Sequence, residues 1–153
     1  MKKQLLFLFF ALLALCASAA PNDVFSVGDI TYSVTLDSYS GRPGIVAVKS
    51  LSAQGKAKTS LKLDIPGVVS YNGYKYKVGV INYDAFKGQS NISVVQIRYN
   101  ITRIAQSAFE NCTSLTTVYM PSSLTNVGYR AFGGCTALRS VYYANATPSS
   151  TSV

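Results

Sequence analysis

Histidine and tryptophan are absent from this sequence, and only six of its 153 residues are acidic. Without histidine, neither a Ser-His-Asp nor a Cys-His relay can be assembled. The six carboxylates are Asp23, Asp29, Asp37, Asp64, Asp84 and Glu110. No two of them stand at a spacing that would bring a pair together for acid–base work. No Cys-x-x-Cys occurs either, so with no histidine the common zinc ligand sets are missing. Neither a phosphate-binding loop nor a dinucleotide glycine pattern is found. Lysine and arginine outnumber the acids 14 to 6, yet nowhere do five basic residues run together. A nucleic-acid partner is therefore poorly supported. The expectation is a protein with no enzymatic activity, no cofactor and no metal.

Long apolar runs are also missing after the first residues. Lys2 and Lys3 precede the apolar stretch LLFLFFALLALCA, and Ala17-Ser18-Ala19 follows as a small-x-small site. This pattern reads as a secretory signal peptide over residues 1–19, too short and wrongly flanked to span a membrane. A lipoprotein anchored at Cys16 is the rival, and Leu15 fits a lipidation site poorly. Export to a secreted or cell-surface location follows from either, with a membrane partner only if Cys16 is lipidated. Cleavage after Ala19 leaves 134 residues, one domain's worth, and the formal charge of +8 falls by two to +6. Cys112 and Cys135 then remain, 23 residues apart. Side-by-side positions suit two buried free thiols better than a disulfide.

Periodicity is what the sequence does have. Residues 78–100, 101–123 and 124–146 align without gaps as three 23-residue units. Ala-Phe recurs at Ala85-Phe86, Ala108-Phe109 and Ala131-Phe132, and apolar columns run through Ile81/Ile104/Val127, Val95/Val118/Val141 and Ile97/Met120/Tyr143. A fixed period with such columns predicts a β-rich solenoid of leucine-rich repeat type, in which each unit buries its apolar face against its neighbours. Within a unit, Leu115–Pro121 alternates as a strand, and Ala105–Asn111 has the residues of a short helical turn. Upstream, residues 20–77 predict a β-strand cap on the stack. Its strands run from Phe25 to Leu36, with a break at Gly28-Asp29, then Gly44 to Leu51 and Leu61 to Pro66. A loop over Ser38–Gly44 and a polar connection over Ser52–Ser60 separate them. Asn72-Gly73 between alternating runs predicts a type I′ hairpin. Leu63 and Ile65 match the inward columns of the later units, with the hairpin as an insertion. The tail 147–153 is polar and offers no cap for the last coil.

The units Ala-Phe-x-x-Cys-x-x-Leu-x-x-Val, followed by Pro-Ser-Ser, resemble the BspA-type leucine-rich repeats of bacterial surface proteins. The likeness covers residues 78–146 strongly, with departures at Gln89, Asn91, Arg98 and Tyr143. It implies an exported protein of adhesion or self-association and no enzyme activity. If Val95, Val118 and Val141 point inward, Gln96, Tyr119 and Tyr142 form an outward row that Asp64 extends. Lys62, Val94, Thr117 and Ser140 form a second row. These rows are the candidate surface for an extracellular protein or glycan, since tyrosine offers rigid amphipathic contact area. The alternative is a structural or self-associating repeat segment, or a fragment of a longer array, with no dedicated ligand and with association through the uncapped C-terminal coil.

Overall fold

The computed structural model describes residues 22–36 and 43–144. The signal-peptide segment with Cys16, most of the Ser38–Gly44 loop and the 147–153 tail lie outside these residues. Eleven strands and one short helix make up the described chain. Strands β1 (Val24–Val27) and β2 (Ile30–Leu36) form an antiparallel hairpin across the Gly28-Asp29 break. Phe25, Ile30, Tyr32 and Val34 are buried as the alternation requires, whereas Val27 and Leu36, expected on the same face, are exposed at the strand ends. Strand β3 (Gly44–Leu51) pairs antiparallel with β2.

The stretch Ser52–Ser60 is more than a polar connection. Residues Ala53–Ala57 form helix α1, whose N-cap Ser52 accepts from the amide of Gly55. Gly55 is required by contact: a Cβ there would stand 2.5 Å from the carbonyl oxygen of Asp29. Strand β4 (Leu61–Ile65) follows. Strands β5 (Val68–Tyr71) and β6 (Tyr74–Ile81) then form the expected hairpin. Its central residues Asn72 and Gly73 have φ of 49° and 78°, the left-handed pair that a type I′ turn needs.

Two sheets enclose the core. One runs β1-β2-β3-β6 and continues through the two-residue strands β8 (Arg103–Ile104) and β10 (Asn126–Val127), with β5 also paired to β6. The other is parallel throughout, in the order β11 (Ser140–Tyr143), β9 (Thr117–Met120), β7 (Ile92–Ile97), β4. In register, Leu63 faces Val95, Val95 faces Val118, and Val118 faces Val141. Ile81, Ile104 and Val127 align likewise in the first sheet. Between the sheets the rings of Phe86, Phe109 and Phe132 stack with centroids 5.0 and 5.1 Å apart.

The segment expected to be a short helical turn is not helical. Residues 106–111 form successive hydrogen-bonded turns, with Glu110 N donating to Ser107 O and Cys112 N to Phe109 O. Asp84, Ser107 and Arg130, at equivalent places, adopt left-handed φ of 53° to 56°, and Gly88, Asn111 and Gly134 do so four residues later. Left-handed residues cannot continue a right-handed helix. They turn the amides toward the following unit instead: Phe86 N reaches Ala108 O at 2.7 Å, and Phe109 N reaches Ala131 O at 2.8 Å. Burial also ends sooner than the apolar columns suggest. Val127, Val141 and Tyr143 are exposed, because among the described residues no further strand lies over the third unit.

Candidate binding face

Strand register builds the outward face of the parallel sheet. Asp64 pairs with Gln96, Gln96 with Tyr119, and Tyr119 with Tyr142. Beside that row, Lys62 pairs with Val94, Val94 with Thr117, and Thr117 with Ser140. The structure therefore brings all seven candidate residues into two adjacent rows on one face. Each stands one step from a residue of the inward columns, and the strand period of two sends it to the other side.

The tyrosines are in direct contact. The rings of Tyr119 and Tyr142 stack at 5.0 Å with planes 15° apart, leaving the residues 39% and 52% exposed. At the other end of the row Asp64 is engaged: Arg98 donates Nε to Oδ1 at 2.8 Å and an Nη to Oδ2 at 3.0 Å. Such a fork fixes both side chains in plane, although both are well exposed to solvent screening. Lys62 is exposed, and Thr117 and Ser140 are half-buried between their neighbours.

A groove of about 280 Å³ crosses the C-terminal ends of β7, β9 and β11. Gln96 and the two stacked tyrosines line one part, and Arg98, Tyr99 and Tyr143 are among the residues lining the remainder. Outward alternation alone misses Arg98, Tyr99 and Tyr143, because strand periodicity stops being a guide where the strand ends. The available signal was Arg98 itself, standing where the later unit has Pro121. Its side chain serves the ion pair to β4 that a proline could not make.

The opposite side carries the turn segments. Glu110 accepts from Lys87 at 3.0 Å and pairs with Arg130 at 2.6 Å, and its side chain is only 9% exposed. The hydrogen bonds from Lys87 and Ser107 pull its carboxyl down to about 2, with the charge of Arg130 helping. The two thiols are free, and each donates to a carbonyl of the preceding turn: Cys112 to Phe86 O at 3.0 Å, Cys135 to Phe109 O at 3.1 Å. Burial raises the Cys112 thiol to about 12. It is thus held as an S–H donor and offers no thiolate nucleophile at neutral pH. Among the described residues, no group of three or more acids, cysteines or histidines could hold a metal.

Over residues 74–151, half of the chain, the sequence matches the family described as BspA type leucine rich repeat region (6 copies). Among solved structures, it is similar to a leucine-rich repeat protein from Bacteroides ovatus, with 32% identity and a TM-score of 0.63. That match covers 76% of this chain and 28% of the other. A leucine rich cell surface protein from Faecalibacterium prausnitzii shares the fold at 23% identity and TM-score 0.61, over 81% of this chain and 32% of that one. The pneumococcal vaccine antigen PcpA does so at 15% identity and TM-score 0.54, over 82% of this chain and 39% of that one. The chain thus spans about a third of the length of these proteins. No curated protein matches it. By the repeat match over half its length, the chain belongs to the BspA-type leucine-rich repeat family.

Proposed function

We propose that this chain is an exported binding module that engages an extracellular protein or glycan through the outward rows of its parallel sheet. The observation that carries this reading is the exposed Tyr119–Tyr142 stack beside the groove. Tyr119 is central in the row and is the hot spot of the reading, because anchoring aromatics near the middle of a contact dominate its energy. Stacked tyrosines also stabilise a sheet by cross-strand contact, so binding and stability have to be measured separately. The purified protein is screened against extracellular-matrix proteins and glycans, and a captured partner is titrated. Tyr119→Ala and Tyr142→Ala should each weaken binding about fivefold or more with the circular dichroism spectrum intact. Wild-type affinity in both variants would sink the assignment and move attention to the hairpin around Tyr71 and Tyr74.

The architecture behind this reading is a solenoid of 23-residue units capped by residues 20–77. Support comes from the parallel registers joining Val95, Val118 and Val141, and from the antiparallel hairpins confined to the N-terminal part. Export by a signal peptide cleaved after Ala19 fits the likeness to a protein described as a cell surface protein. A second reading, self-association through the last unit, is favoured by a specific observation: Val127, Val141 and Tyr143 expose 46%, 41% and 55% of their surface.

A further inference from the structure

The larger sheet has an outer face that the tyrosine rows do not touch. On β6, Tyr76, Val78 and Ile81 are buried, so Lys75 and Lys77 point to the other side, where both are exposed. Ile104 is buried on β8, which turns its neighbour Arg103 outward in the same way. Lys49 is exposed on β3, skipped in the pairing of Val48 with Tyr32 and Ser50 with Thr31. Lys75 and Lys77 are two residues apart on one strand, a spacing of about 7 Å, while Arg103 pairs with Val80 further along β6 and Lys49 follows Val48, the partner of Ile81.

Among the described residues, these cations have no acidic partner. Asp29 pairs with Lys58, Asp64 with Arg98, Asp84 with Lys87, and Glu110 with Lys87 and Arg130. Asp23 also has a partner, so all five described carboxylates are engaged. Among the described residues, no ion pair uses Lys49, Lys75, Lys77 or Arg103. Arg103 spends one donor on the hydroxyl of Tyr83 at 2.8 Å and keeps the others. Of the seven described basic residues outside these ion pairs, four lie on this sheet face, and Lys56, Lys62 and Arg139 stand elsewhere.

We propose that this face binds a linear anionic polysaccharide, one bearing sulfate or carboxylate groups along its length. Charge complementarity is the ground: a run of spaced cations outside the described ion pairs matches a chain of spaced anions. The residues between the cations favour this class over nucleic acid. They are Ser70, opposite Lys75, and Ile45 and Val68, opposite Lys77, none of them aromatic, and the exposed ring of Tyr83 beside Arg103 is already covered by that guanidinium.

Heparin serves as the probe, titrated against the purified protein at several salt concentrations. Binding should weaken steeply from roughly 50 to 200 mM salt, as release of counterions requires. The variant K75Q/K77Q should lose about tenfold in affinity and show a shallower salt dependence, whereas K56Q/R139Q, an equal charge change elsewhere, should stay within about twofold. Equal losses in the two variants would overturn the proposal, leaving only non-specific attraction. So would the absence of heparin binding at low salt. Tighter binding to single-stranded DNA or to phosphatidylserine vesicles than to heparin would overturn the choice of a polysaccharide.

Discussion

At the scale of single residues, the core is carried by equivalent positions that touch their own counterparts. Phe109 is fully buried between Phe86 and Phe132, with stacked rings on both sides. Truncating it removes the transfer free energy of the ring and leaves a cavity that neighbours on two sides cannot both fill. Phe109→Ala should cost about 3–5 kcal/mol, a large share of the roughly 5–15 kcal/mol that holds a small domain together. Chemical denaturation followed by circular dichroism measures it, and an unchanged midpoint would contradict the stack. These residues were legible in the sequence because a 23-residue period marks them three times over, and the tyrosine rows followed by counting one step along each strand. Arg98 and Asn91 read only as departures from the pattern. Their roles are long-range: Arg98 holds Asp64 on β4, and the Asn91 side chain donates to the carbonyls of Gly55 and Lys58 at the end of α1. Partners more than thirty residues away leave no local trace.

At the scale of elements, strands and hairpins were legible and the turn segments were not. Alternation and an Asn-Gly pair are local physical signals, whereas left-handed Asp84, Ser107 and Arg130 carry no glycine to announce them. Residues with fair helix propensity were drawn into turns because their amides find carbonyls in the next unit. The turn segments are also joined by charge, since Lys87, Glu110 and Arg130 come from three successive units. Glu110 has a folded-state carboxyl lowered from 4.5 to about 2. A depressed carboxylate contributes stability that is fully present above its unfolded value and is lost as pH falls through its folded value. The contribution of Glu110 should therefore fade between pH 4.5 and about 2. In thermal melts, Glu110→Gln should be less stable than wild type at neutral pH, with the gap narrowing across that window. A gap that stays constant down to pH 2 would show that this carboxylate does not titrate with folding.

At the scale of the whole molecule, the two ends of the stack are unlike. Near β4 the parallel sheet is braced within itself by Arg98–Asp64 and is tied to α1 by the Asn91 side chain. Beyond β9 lies β11, the edge strand of this sheet among the described residues, in which Val141, Tyr142 and Tyr143 are all exposed. An exposed apolar edge with unpaired backbone groups is a template for another chain. A second copy that set its own β11 against this edge would bury Val141 and Tyr143 by a symmetric contact. Both copies carry the same net positive charge, formally +8, so added salt should strengthen the association by screening their repulsion. That trend is opposite to the one expected for polysaccharide binding, and it separates the two surfaces in a single buffer series. Sedimentation equilibrium should give a mass that rises with protein concentration and with salt. Val141→Lys should hold the protein monomeric, because a charge placed on the edge opposes pairing. A wild-type mass that stays monomeric at every concentration and salt would eliminate self-association and leave the tyrosine rows as the binding surface to pursue.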